Sequence, residues 1–177
     1  MQRNGNDGRI KLNPLPLIVM VALLLIDQIT KCFFHQKGEN YEVVVIENFF
    51  KFSTVYNEGA AFGFLGNQAW GQIFFKILTV LAIVGFYLFY LFATFKEYKF
   101  LKYALILVFA GMIGNFIDRL AFNYVVDFLS FTFWGWDFAV FNVADVCLSV
   151  GVVMLVVHFL FLDQDAIFKK KDGKDNA

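Results

Sequence analysis

The sequence predicts an all-α membrane protein of four transmembrane helices, with a β-rich connection on the outer face between the first two. Three observations lead there. The chain is 59% hydrophobic and holds 25 phenylalanines in 177 residues, with a mean hydropathy of +0.63; a soluble domain is about 45–50% apolar. Four apolar runs, roughly 15–34, 69–95, 103–122 and 138–162, reach the ~20 residues a helix needs to cross hydrocarbon. Lysine and arginine are segregated between alternate connections, as the positive-inside rule requires.

The first run has the basic flank of a secretory signal peptide (Arg3, Arg9, Lys11) but ends in Asp27, Lys31, Phe33 and Phe34. It offers no small-x-small cleavage site and reads as a retained span. In the connection that follows, residues 41–53 are rich in Val, Ile and Phe between Glu and Asn. That composition predicts a strand or amphipathic ribbon lying on the membrane surface. The second connection carries Lys96, Lys99 and Lys102, the third (123–137) no Lys or Arg, and the tail Lys169, Lys170, Lys171 and Lys174. Both termini and the middle connection are therefore expected in the cytoplasm. Trp70, Trp134 and Trp136 fall on the outer side, where an aromatic belt sits. Residues 1–162 read as one integral-membrane domain, and 163–177 as a charged, disordered cytoplasmic tail.

A formal net charge of zero argues against a nucleic-acid partner. Cys32 and Cys147 have no Cys or His at metal spacing, so neither a zinc site nor a disulfide framework is readable. Both are expected to pack as small buried hydrophobes. His35 and His158 fall at opposite ends of the topology. They read as interfacial histidines, so no metal or cofactor is expected.

Ionisable groups inside a span default to a function or a partner. Asp27 and Lys31 are four apart, on one helix face, and read as an ion pair at the outer end of the first span. Gly111, Asn115 and Asp118 form one stripe of the third span. The glycines there allow close helix approach. Arg119 follows Asp118 directly and faces elsewhere, so each needs a partner from another element. Asp127, in Val125-Val126-Asp127-Phe128, is bracketed by apolar residues; Asn142 and Asp145 are i, i+3 neighbours opening the fourth run. Antiparallel packing of the third and fourth spans brings Asp127 and Asp145 to one depth near the outer surface.

Two carboxylates in a partly dry site share a proton. They then supply a general base for water and a general acid for the leaving amine. Spacing leaves two alternatives open: Asp127 in a surface loop, and Asp145 as a helix-end cap. It also leaves a serine/lysine peptidase, with Ser53 or Ser130 and Lys31, though Asp27 would hold that lysine charged. A proton-conducting subunit is a third reading, but the charges gather at one side and the second span offers only Lys76.

The motifs Asp27-Gln28-Ile29-Thr30-Lys31, Asn57-Glu58-Gly59-Ala60-Ala61-Phe62, Gly111 to Arg119, Val125-Val126-Asp127-Phe128 and Phe141-Asn142-Val143-Ala144-Asp145 together resemble lipoprotein signal peptidase (signal peptidase II). The resemblance covers about 14–162. It implies an aspartyl endopeptidase of the bacterial inner membrane, with its active site near the outer face. The enzyme removes the signal peptide of prolipoproteins just before a diacylglyceryl-modified cysteine. It implies Asp127 and Asp145 as the catalytic pair. Asp27, Lys31, Asn57, Gly59, Gly111, Asn115, Arg119, Asn142 and Ala144 would line or brace the substrate site. Asp118 would be structural, and ionised if another helix returns the contact. It further implies a strand cradle with a mobile helical part, inhibition by the cyclic peptide globomycin, membrane lipid as a partner and a monomeric enzyme. Burying lipid methylenes, at about 0.8 kcal/mol each, would select the lipidated substrate.

Overall fold

A computed structural model describes residues 14–59, 70–92 and 99–162. The basic N-terminal flank, Ala60-Ala61-Phe62, the mobile helical part expected near them and the C-terminal tail lie outside the described residues.

The first helix, α1, spans Leu15–Lys37. Pro14 and Pro16 sit at its start, where a missing N–H costs nothing. It stops at Gly38, whose φ of 88° suits glycine. Next come β1 (Glu42–Ile46), β2 (Phe50–Asn57), α2 (Gly71–Phe92) and α3 (Lys99–Phe122). Then follow β3 (Val125–Phe133), β4 (Trp136–Asp137) and α4 (Val143–Val157), which runs on into a π-helical turn, His158–Leu162.

Among the described residues, three helical stretches are long and apolar enough to cross a membrane: Leu15–Lys37, Phe100–Phe122 and Val143–Leu162. In α2 the continuous apolar stretch is shorter, Ile73–Phe89. Helix α3 is the hub. Leu101, Ala104, Leu105, Val108 and Met112 are buried on it with Leu155 of α4. Outward, Leu17, Ile29, Ile73, Leu81, Val153 and Phe161 are exposed, an arrangement suited to lipid rather than water.

The β cradle differs from the sequence expectation. It is one antiparallel sheet in the order β1-β2-β3-β4, so the third connection supplies half of it. Val125–Phe133 alternates branched and aromatic residues with Asp, Ser and Thr, which favours a strand. Val55 pairs with Asp127 and Asn57 with Val125. The same pairing delays the fourth helix. The Phe138 N–H donates to the Phe131 carbonyl at 2.8 Å, and the Phe141 N–H to Leu129 at 3.0 Å. Residues 138–141 therefore belong to the sheet edge, and α4 starts at Val143. Helix α3, conversely, begins at Lys99, ahead of its apolar run.

Two smaller expectations fail. Cys147 is buried, but Cys32 is exposed and accepts a contact from Gln36 at 3.4 Å. His158 is wholly buried within the protein, its ring near Phe100 and Phe159, instead of standing at the surface.

Candidate active site

The first turn of α4 organises the site. A helix start leaves backbone N–H groups without partners, and the motif Asn142-x-x-Asp145 supplies acceptors. Asn142 Oδ1 accepts from the Asp145 N–H at 2.9 Å. Asp145 Oδ2 accepts from the Asn142 N–H at 3.1 Å. This reciprocal capping box means that Asp145 does cap a helix, as one alternative held. The cap uses one of its oxygens.

The Asn142 amide NH2 remains available and turns across to β3. It donates to Asp127 Oδ1 at 2.6 Å and to Asn115 Oδ1 at 3.1 Å. Asp127 Oδ2 accepts from Asn57 Nδ2, at the end of β2, at 2.9 Å. Asp145 Oδ1 accepts from Asn115 Nδ2, on α3, at 2.7 Å. Both carboxylates thus sit within one set of three asparagine amides from three elements. Asp127 is on a paired strand, only 2% exposed, which removes the surface-loop alternative.

Burial first, and the Asp145 carboxylate second, push the Asp127 carboxyl up to about 7; hydrogen bonds from Asn57 and Asn142 and the Lys31 charge oppose the rise. Desolvation disfavours the charged form, and a second carboxylate disfavours it again.

Beneath the pair lies a buried ionic cluster. Lys31 Nζ approaches Asp27 Oδ2 at 3.0 Å and Asp118 Oδ2 at 3.2 Å, and donates to Asn115 Oδ1 at 2.8 Å. Asp27 Oδ1 accepts from the Ala144 N–H at 2.8 Å, so α1 also caps α4. Asp118 Oδ2 accepts from the Val126 N–H at 3.1 Å, beside Asp127. The cation that pairs with Asp118 is therefore Lys31, one helix away, and not its sequence neighbour Arg119. Adjacent residues on a helix diverge, which is why the neighbour fails. Arg119 Nη2 instead donates to the Gly59 carbonyl at 3.3 Å, and its guanidinium lies 5.4 Å from the Phe75 ring centre. Asp145 and Asp127 are within reach of its charge. Its buried Nε has no partner among the described residues.

Gly59 closes back on the set, its N–H donating to Asn57 Oδ1 at 3.0 Å. Two glycines make room. A Cβ on Gly114 would come within 2.6 Å of Asp27 Oδ2 and 3.0 Å of the Ala144 Cβ. One on Gly111 would strike the Ala144 carbonyl and lie 2.8 Å from the Leu148 N. Gly111 is thus an α3–α4 packing contact below the carboxylates; the other residues expected from the sequence join one connected network. Gln28 is the residue that sequence reasoning missed. Its Nε2 reaches Asp27 Oδ2 at 3.1 Å, the Gly114 carbonyl at 3.2 Å and Asp118 Oδ1 at 3.2 Å. The available signal was a second polar residue beside Asp27 inside an apolar run.

Other chemistries find less support. Lys31 is engaged by two carboxylates and an amide, while the Ser53 hydroxyl donates to Glu42 at 3.0 Å. Lys76 donates to Asn123 at 2.8 Å. Among the described residues no group of three His, Cys, Asp or Glu gathers as a metal site would require.

The family model for signal peptidase (SPase) II matches residues 19–161. The chain belongs to the signal peptidase II family. The lipoprotein signal peptidase of Staphylococcus haemolyticus is 41% identical over 147 residues, 81% of this chain and 89% of that protein. The Coxiella burnetii protein (strain RSA 331 / Henzerling II) is 39% identical over 140 residues, covering 79% and 86%. The Symbiobacterium thermophilum protein is 38% identical over 151 residues, covering 85% and 97%. A bacterial membrane enzyme structure obtained by the in meso method at 2.3 Å superposes with a TM-score of 0.73 at 31% identity, covering 90% of this chain and 93% of that one. A second, at 1.9 Å, gives 0.71 at 32% identity, covering 83% and 93%. As a member of that family the chain is a multi-pass membrane peptidase. Every residue of the asparagine and lysine networks falls within the 19–161 match.

Proposed function

We propose that this signal peptidase II is an aspartyl endopeptidase whose Asp127 and Asp145 activate water against the peptide bond preceding a diacylglyceryl-modified cysteine. The observation that carries the reading is the common tether: Asn142 binds Asp127 through its side chain and Asp145 through its backbone. Two carboxylates so held in a dry site retain one proton between them near neutrality. Burial favours its residence on Asp127, leaving Asp145 as the base. Asp145 takes a proton from water as the oxygen attacks the scissile carbonyl, while Asp127 protonates the carbonyl oxygen. Collapse of the tetrahedral diol breaks the C–N bond. Asp145 passes the proton it took from water to the departing amine of the lipidated cysteine, one diol hydroxyl returns its proton to Asp127, and the signal peptide leaves with a new carboxyl end.

The supporting parts have matching roles. Asn57, Asn115 and Asn142 hold the carboxylates by donation, and Arg119, whose Nε–H has no partner among the described residues, offers a donor to substrate carbonyls. Helix α2, 22 residues long, serves as the fourth span at ~33 Å. Both termini then lie in the cytoplasm and the pair near the outer face of the inner membrane. The acyl chains of the substrate supply recognition in lipid, globomycin competes for the same site, and the enzyme works as a monomer.

The test is reconstitution in vesicles with a diacylglyceryl-modified prolipoprotein and its unmodified counterpart. Only the first is expected to be cut, yielding a free amino-terminal lipidated cysteine by mass spectrometry, with globomycin blocking the reaction. Equal cleavage of both would overturn lipid-dependent recognition.

A further inference from the structure

The tip of the β3–β4 hairpin is built in a way that the peptidase chemistry does not explain. Phe133 pairs with Trp136, leaving a two-residue turn, Trp134-Gly135. Both residues have positive φ, 51° and 82°, the pattern of a type I′ turn. Gly, Asn and Asp suit such turns; a bulky side chain at positive φ costs about 1–2 kcal/mol. The chain accepts that strain and presents Trp134 with 98% of its surface exposed, beside Trp136 at 82%. Phe133, Phe138 and Phe49 are also exposed around them. No Lys or Arg occurs in this hairpin, and the Asp137 carboxylate accepts from the Thr132 hydroxyl at 2.7 Å. A bare aromatic tip on a short edge strand is an aggregation hazard in water.

Ring contacts join the tip to the residue beside Asn142. Phe141, next to Asn142, stacks on Phe131 at 5.8 Å; Phe131 stacks on Phe133 at 6.1 Å; Phe133 meets Trp134 at 6.3 Å. An aromatic seam thus runs from the entry of α4 to the hairpin tip. Along the same strand, Asp127 lies seven residues from Trp134, a reach of ~23 Å. A strand leaving the membrane upright would hold the tip that far out in water. One lying along the surface would set both indoles where the aromatic belt forms, each with an apolar body and a polar N–H.

We propose that Trp134 and Trp136 form a lipid-interface anchor that lays β3 along the outer membrane surface and thereby fixes the depth of Asp127. The occupant of the patch is the bilayer itself, at the boundary between headgroups and acyl chains. The depth-fixing half rests on Asp127 being catalytic; the anchor does not.

Tryptophan fluorescence tests the anchor without any substrate. In a Trp70→Phe background, Trp134 and Trp136 are the two remaining indoles. In phosphatidylcholine vesicles their emission should be blue-shifted and quenched by brominated lipids, most strongly when the bromines lie near the headgroups, and shielded from aqueous iodide. Red emission that iodide quenches and bromolipid does not would overturn the anchor, as would quenching that requires a second copy of the chain. The depth role is tested by Trp134→Ser/Trp136→Ser. Cleavage should fall about tenfold in vesicles and remain near wild type in detergent, where no bilayer sets a depth. Equal rates in vesicles would overturn the depth role and leave the dyad untouched, whereas loss in both media would mark the tryptophans as merely structural.

Discussion

Asp127 and Asp145 are bound by one residue, Asn142, which donates its amide to the first at 2.6 Å and its backbone N–H to the second at 3.1 Å. A strand and a helix that meet only after folding are thereby locked in register at the point where their carboxylates must cooperate. The lock depends on an asparagine, because the side chain must accept from the Asp145 N–H and donate to Asp127 at once.

Asn142→Ser separates those duties. Serine keeps the cap but loses the amide NH2. A hydrogen bond to a charged group contributes about 1.5–3 kcal/mol, so kcat should fall ~10–100-fold. The melting temperature in detergent should stay within a few degrees of wild type. Equal loss of stability and activity would reduce Asn142 to a cap.

The Asp127 carboxyl, raised from 3.8 to about 7, predicts a pH dependence of known sign. Between those values the unfolded chain has released this proton and the folded chain retains it. Stability then falls as pH rises from about 4 to about 7. Asp127→Asn should flatten that part of the curve in thermal unfolding. Activity should decline above about 7, as the shared proton is lost; a rate that climbs steadily through this range would contradict the sharing.

Lys31 sits against two buried carboxylates. Removing one partner of a buried ionic cluster costs about 3–5 kcal/mol, so Lys31→Met should unfold readily. Adding Asp118→Asn should restore part of that loss, because one fewer charge is left unpaired. A double variant no more stable than the single would show that the two groups do not couple.

Gly114→Ala should displace Asp27 from the Ala144 N–H, since the new methyl would sit 2.6 Å from Asp27 Oδ2. Overpacking of this kind costs about 1–3 kcal/mol. Loss of the second cap on α4 should lower kcat as well. Wild-type turnover by Gly114→Ala would show that Asp27 does not position Asp145.

Much of this was legible in the chain because a bilayer is a severe solvent. The long apolar runs have few alternatives to spanning helices, and charges within them must find partners, which singled out Asp27, Lys31, Asp118 and Asp145; Asp127, in the connection between two runs, stood out as a carboxylate bracketed by apolar residues. What escaped was set by long-range pairing. Val125–Phe133 became the centre of the sheet only because β2, 68 to 81 positions earlier, pairs with it. The partner that Asp118 needed from another element is Lys31 of α1, 87 positions away, a pairing that spacing along α3 cannot name. Gln28 was hidden beside the more conspicuous Asp27, on a face that only the packing of α3 reveals.

The most direct measurement is single-turnover cleavage of a lipidated prolipoprotein by Asp127→Asn and, separately, by Asp145→Asn in vesicles, with folding verified by a cooperative thermal transition no lower than that of wild type. Each amide keeps the shape of its carboxyl and abolishes proton transfer, so each variant should lose about a thousandfold or more in rate. A folded variant of either kind that retains more than about a tenth of the wild-type rate would contradict the two-aspartate account.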